Sequence, residues 1–230
     1  MKISNGPKVK LVNPEVLNTY LADVGRFASV CYSPSRDSTE ASAPKWRAIG
    51  KNCIKNGHWS PARHQYLIFE IDGGSRTFTH QLVRHSVGIE INQRSQRYVD
   101  EVVPAFYMPK SISLNSEAYT VYVEAMEYAW KSVSKLKSIG IPVEDAREAL
   151  PNATMSDINI AVSVQALKHL CEERLCNRAS FQIRSAVRQM RDLVVREEPE
   201  LADILVCKCD SLGFCPEEKG CGRYGKNTLC

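Results

Sequence analysis

Apolar positions recur along most of this chain at spacings near 3.6 or near 2, and those spacings set the predicted elements. Asn13-Pro14-Glu15 reads as an N-cap, a proline at the first helical position and an acidic first turn, predicting a helix to about Val30. A loop rich in serine and proline follows over 33–44. Trp46, Ile49, Cys53 and Ile54 then return at helical spacing until Gly57 closes the segment. Residues 66–71 are apolar with a β-branched bias and run into Asp72-Gly73-Gly74, a strand and its turn. Within 77–85, Phe78 and Leu82 stand four apart while Gln81, Arg84 and His85 share another face, the pattern of a short helix delivering polar groups to one place. Residues 90–99 read as an irregular loop whose backbone binds a ligand.

The second half is predicted to be helical. Ser116-Glu117 caps a long amphipathic helix through Tyr122, Met126, Trp130 and Val133, positions read as core. Residues 142–150 form a short helix stopped by Pro151. Asp157 caps another, to about Cys176, and 179–195 form a last one. No internal repeat or low-complexity stretch interrupts the series.

Composition narrows the class. At 230 residues and 43% apolar content, one domain can bury a sizeable core. The net charge of +4 suits small anionic ligands and lacks the strong basic bias of a dedicated DNA binder, so no nucleic-acid partner is expected. There is no run of 18 or more apolar residues, and the first residues do not form a signal peptide. A cytoplasmic protein with no membrane partner is expected, its nine cysteines as thiols.

The chemistry concentrates in 81–98, where three arginines, one histidine, three glutamines, one asparagine and two serines fall within eighteen positions. Arginine forks hold phosphates and carbonyls at two points, and amides and hydroxyls supply neutral donors and acceptors. That inventory suits a nucleotide, although composition alone leaves a basic surface loop open. The spacing of Arg84-His85, Asn92, Ser95 and Arg97-Tyr98 resembles the signature of the flavin-dependent thymidylate synthases. Gly57-His58-Trp59-Ser60 followed by His64, Ala146-Arg147 with Leu150-Pro151, and Arg174 followed by Gln182-Ile183-Arg184 resemble further elements of that family, in the same order over about 130 residues.

The resemblance implies an α/β fold of α+β type, with a central, mostly antiparallel sheet flanked by long helices. It implies reductive methylation of deoxyuridine monophosphate (dUMP) to thymidine monophosphate (dTMP), with FAD as cofactor and methylenetetrahydrofolate and NADPH as co-substrates. The chain has no Gly-rich dinucleotide fingerprint, so the nicotinamide would bind without a Rossmann domain. By the same resemblance, Gln81, Arg84, Gln93, Arg94, Ser95, Gln96, Arg97 and Arg147 surround dUMP, with Ser95 a binder. Ser60, Arg84, His85, Ser86, Gln93, Ser163, Gln165 and His169 map to the flavin. Arg174 takes the catalytic place, its permanent charge stabilising the ionised pyrimidine. The alternative route to C5 methylation, cysteine attack at C6, finds no cysteine in 81–98.

Four positions depart from the family pattern, one of them Ser163 in place of an asparagine, and the spacer to Asn92 is one residue longer than the family form. Ser86 and Gln165 stand where arginines are expected, and Arg63 stands where a glutamate precedes His64. Losing two fixed charges predicts weaker binding of the flavin phosphates unless Arg63 or Arg178 compensates. On a helix advancing about 100° per residue, Ser163 and Arg174 fall on one face and Gln165 and His169 nearly opposite. Two ligand-facing sides would place sites between subunits, in line with the homotetramer the resemblance implies; a solvated polar stripe is the other reading.

Residues 1–205 are thus expected to form the catalytic domain and 206–230 a cysteine-rich tail. Its Cys207, Cys209, Cys215, Cys221 and Cys230 lack a C-x-x-C knuckle, so no metal is expected and a reduced tail is favoured over a zinc site. Two rivals remain: a related methylase or hydroxymethylase acting on dCMP or UMP, and a non-catalytic nucleotide- or RNA-binding protein.

Overall fold

The computed structural model describes residues 2–31, 43–99 and 105–225. The strands are β1 (Lys2–Ser4), β2 (Lys8–Leu11), β3 (Tyr66–Ser75), β4 (Ile89–Gln93), β5 (Ala105–Tyr107) and β6 (Met155–Ser163). The helices are α1 (Val16–Ala28), α2 (Ala43–Lys55), α3 (Arg76–Leu82), α4 (Lys110–Ser113), α5 (Ser116–Ser138), α6 (Val143–Ala146), α7 (Val164–Arg174), α8 (Phe181–Glu197) and α9 (Lys208–Leu212). A four-stranded antiparallel sheet runs in the order β2-β3-β6-β4, and β1 pairs with β5 in parallel. The α/β class and mostly antiparallel sheet expected from the sequence are what the chain forms. No helix of the described residues is long and apolar enough to cross a membrane.

By its contacts the chain divides into two compact units. The first comprises residues 1–8, 71–84 and 91–159. There α5 packs with the β1–β5 pair: the Tyr122 hydroxyl donates to the Tyr107 carbonyl at 2.7 Å, and the rings of Phe106 and Trp130 meet edge to face at 6.1 Å. Such ring pairs add about 0.5–1.5 kcal/mol beyond their buried area. Asn115, not Ser116, caps α5, its side-chain Oδ1 accepting from the Ala118 N–H at 3.0 Å. Of the positions read as core on this helix only Met126 is buried, while Tyr122, Trp130 and Val133 are half-buried.

The second unit comprises 9–70, 85–90 and 160–230. Its helices α1 and α2 cross in contact, because Gly25 and Gly50 face each other. A Cβ on Gly25 would lie 2.0 Å from the Trp46 carbonyl oxygen, and one on Gly50 1.9 Å from that of Leu21. Leu167, Leu170, Ile183, Ala186, Val187, Met190 and Val194 bury the facing sides of α7 and α8. Glu198, 2% exposed, takes its charge partner from Arg47 at 2.5 Å.

Several element assignments change. Asn13 does not cap α1; its side chain instead binds the β3 edge, accepting from Ile68 N–H at 2.8 Å and donating to the Tyr66 carbonyl at 3.0 Å. The glycines after Asp72 lie inside β3, which runs on to Ser75, with Gly73 at φ +75° bending the strand in place of a turn. The start of the presumed 90–99 loop is β4. Residues 155–163, read as the start of a helix capped by Asp157, are strand β6, in which Ser156, Ile158, Ile160 and Val162 alternate as buried positions. Ser163 ends that strand and itself caps α7, accepting from Ala166 N–H at 3.2 Å. Most of the serine- and proline-rich loop lies outside the described residues.

Candidate functional site

In the first unit, several of the residues expected at the nucleotide are held by neighbouring side chains and backbone. Ser75 caps α3, accepting from Phe78 N–H. The helix ends at Leu82, so Arg84 stands exposed in the turn beyond it, and Gln81 does not share a helical face with Arg84 and His85. At the end of β4, the Gln93 amide donates to the buried hydroxyls of Thr79 and Ser156 at 3.0 and 2.8 Å, which fixes its orientation. Arg94 is held twice by Asp157: its N–H donates to the backbone carbonyl at 2.9 Å and its guanidinium meets the carboxylate at 2.5 Å. Asp157, misread as a helix cap, is thus a positioning residue for this loop. Ser95 Oγ accepts from the Arg97 N–H at 3.2 Å, a serine turn that accounts for the Ser-x-Arg spacing.

Arg97 and Arg147 meet at Glu144. The Arg97 guanidinium lies 2.9 Å from its carboxylate, and Arg147 Nε donates to its backbone carbonyl at 3.1 Å. Gln96 and Arg147 also line a polar cleft of about 210 Å³ together with Arg76 and His80, two residues that the sequence reading passed over. They lie four apart on α3, a spacing that puts both on one side of the helix.

Of the residues expected at the flavin, Ser60, His85, Ser86, Ser163, Gln165 and His169 belong to the second unit, and Arg84 and Gln93 to the first. A cleft of about 630 Å³, within the size range of cofactor sites, is lined by Ser163, Gln165 and His169 together with Trp59, Arg63, Tyr66, Val87, Gly88 and Lys168. Ser60 and Ser86 are neighbours in sequence of lining residues, although their side chains are not part of the wall. Ser163, Gln165 and His169 therefore share one cleft, and the expectation that α7 presents Ser163 and Gln165 on opposite faces is overturned. The reason is local: Ser163 precedes the helix, so a rotation of 100° per residue does not apply to it. Arg174, at the last turn of α7, donates from Nε to His85 Nε2 at 2.8 Å, and the His85 ring meets that of His169 edge to face at 5.9 Å. Accepting at Nε2 requires the His85 proton to sit on Nδ1. Residues 89 positions apart in sequence are thereby joined.

This cleft fits a flavin. Trp59 and Tyr66 offer ring and apolar surface, Arg63 a cation, and Ser163, Gln165 and His169 polar edges. Gly88, at φ +71°, keeps the opening clear; a Cβ there would lie 2.9 Å from Ser163 Oγ. Arg63 Nε donates to Gln165 Oε1 at 2.5 Å, so the residue standing in place of the expected glutamate meets the one standing in place of an expected arginine.

The cysteines occupy another place. Cys171 is fully buried in α7, and burial pushes its thiol up to about 12. Cys176, Cys207, Cys209, Cys215 and Cys221 line a small pocket of about 40 Å³, with the Cys207 and Cys209 sulfurs 3.5 Å apart. Among the described residues no group of His, Cys, Asp or Glu is arranged to hold a metal ion, and the described cysteines are free. Cys230 lies outside the described residues.

The family model described as Thymidylate synthase complementing protein matches residues 16–200. The flavin-dependent thymidylate synthase of Nitratidesulfovibrio vulgaris is 36% identical over 197 residues, covering 81% of this chain and 80% of its own length. That of Clostridium tetani is 31% identical over 245 residues, covering 95% and 94%. Among solved structures, the UMP/dUMP methylase PolB from Streptomyces cacaoi bound with 5-Br dUMP superposes with a TM-score of 0.71 at 20% identity, covering 89% of this chain and 96% of that one. That likeness carries the fold. With the family model spanning four-fifths of the chain and relatives above 30% identity along most of it, the chain belongs to the flavin-dependent thymidylate synthase family.

Proposed function

We propose that this protein methylates dUMP at C5 to give dTMP, with FAD bound in the 630 Å³ cleft. Methylenetetrahydrofolate gives the one-carbon unit and leaves as tetrahydrofolate, and NADPH supplies the two electrons that reduce methylene to methyl. Bound flavin provides the hydride. The observation that carries the reading is the contact of Arg174 with His85, which brings the late-helix cation to the Arg-His motif beside a cleft lined by Ser163, Gln165 and His169.

Arg174 acts as a permanent positive charge: a guanidinium keeps its proton at any working pH, so it can face the ionised N3–O4 edge of uracil throughout turnover. His85 occupies Nε and leaves the Nη pair to meet the ring. Arg97 and Arg147, gathered at Glu144, and Arg94, held by Asp157, supply forks for the phosphate and a pyrimidine carbonyl. Gln81, Arg84, Gln93, Ser95 and Gln96 complete the nucleotide side. Ser60, Arg84, His85, Ser86, Gln93, Ser163, Gln165 and His169 attend the flavin.

The active form is a homotetramer whose subunits share active sites. The exposed apolar face of α5, with Val121 63% and Tyr128 76% exposed, supports a second copy covering it. Residues 1–205 carry catalysis, with the cysteine-rich tail appended, and the enzyme works in the cytoplasm without nucleic-acid partners. Purified protein is tested by withholding FAD, folate or NADPH in turn. The reading requires dTMP only when all three accompany dUMP; dTMP without FAD, or none with the full set, removes it.

A further inference from the structure

We infer that Arg63 holds the phosphate groups of the flavin, taking over the charge that Ser86 and Gln165 do not provide. The inference rests on the 630 Å³ cleft being the flavin site. Two permanent cations line that cleft, and Lys168 is paired with Glu172. Arg63 has no carboxylate partner among the described residues; its one side-chain hydrogen bond there is from Nε to Gln165 at 2.5 Å. That bond fixes the guanidinium plane and leaves both Nη atoms for a ligand, the two-point geometry that suits a phosphate.

The rival cation is already occupied. Arg178 donates from Nη1 to the Lys219 carbonyl at 2.6 Å, lies 3.4 Å from the Glu217 carboxylate, and lines the cysteine pocket instead. The Gln165 amide meanwhile orients Arg63 as a neutral acceptor. An arginine at 165 would put two like charges in contact with each other, so Arg63 and Gln165 work as a pair. The sequence has moved the phosphate charge from α7 to the segment that follows α2.

Apoprotein titrations with FAD and with riboflavin, read by flavin fluorescence, separate phosphate binding from ring binding. Arg63→Ala should weaken FAD roughly 10- to 100-fold, the range for losing a charge-assisted hydrogen bond, and leave riboflavin within about twofold. Arg63→Lys, which keeps charge without the fork, should fall between. The double variant Arg63→Ala/Gln165→Arg should recover most of the FAD affinity, a rescue that a merely structural role for Arg63 would not give. FAD affinity unchanged in Arg63→Ala overturns the inference alone, as does an equal loss for riboflavin. A wild-type apoprotein that takes up neither flavin overturns the flavin cleft and the inference together.

Discussion

Nε of Arg174 donates to Nε2 of His85 across 2.8 Å, tying the end of α7 to the segment between α3 and β4. This bond makes His85 a positioning residue for the candidate catalytic cation, in addition to its proposed place beside the flavin. Replacing His85 by leucine should lower kcat roughly 10- to 100-fold through loss of orientation. His85→Gln, which keeps an acceptor, should recover part of it. The KM for dUMP should change much less than kcat in both, and steady-state kinetics of the two variants checks this.

Charge alone is not enough at position 174. Arg174→Lys keeps a cation but loses the planar fork and the Nε donor to His85. Turnover should fall by roughly 100-fold or more, the scale of removing one electrostatic donor to a developing charge, with the melting temperature unchanged because Arg174 is only half-buried. Differential scanning calorimetry beside the rate measurement separates the two effects.

Under the proposed reading, Glu144 competes with the nucleotide for Arg97. The pair is exposed on both sides and contributes less than about 1 kcal/mol. Glu144→Gln should therefore tighten dUMP binding by about two- to fivefold, read by calorimetric titration. Weaker binding would show that the carboxylate positions Arg97 instead of restraining it.

Gly88 is required by geometry. Alanine there meets both a left-handed φ of +71° and Ser163 Oγ at 2.9 Å, the oxygen that caps α7. Gly88→Ala should destabilise the fold by about 2 kcal/mol, and chemical denaturation gives the value directly.

The thiols should separate by reactivity. A backbone N–H from Arg223 lowers the Cys221 thiol below its ordinary range, so its thiolate forms at lower pH and alkylation begins there first. Burial holds Cys171 up at about 12, so it should remain unmodified through neutral pH. Peptide mass mapping after timed iodoacetamide treatment, repeated across pH, orders the sites.

Residue type and spacing told more about ligands than about elements. The 3.6 spacing of α2 and α8 was legible because each buries one side and closes at a helix breaker or turn. β6 was not, although Ser156, Ile158, Ile160 and Val162 alternate with a period of two; Asp157 imitates an N-cap, and the strand passes into α7 at Ser163 with no turn residue between. Gly73 misled in the opposite sense, since a strand can bend at glycine without ending. Among the candidate ligand-binding residues, Arg84, Arg97, Arg147 and Arg174 stood out by motif, whereas Arg76 and His80 were visible only as a spacing of four on α3. The partners that orient these groups, Glu144, Asp157 and Arg63 with Gln165, are matters of tertiary contact. Local spacing does not report residues some 50 to 100 positions apart.

The central claim is that a uracil deoxynucleotide is the substrate. Incubating the enzyme with equal amounts of dUMP, UMP and dCMP, together with FAD, NADPH and methylenetetrahydrofolate, and resolving the nucleotides by chromatography tests it most directly. The account predicts dTMP as the main methylated product in the wild type and its loss in Arg174→Lys. Methylated UMP or dCMP in excess of dTMP, or dTMP formation indifferent to Arg174, would contradict it.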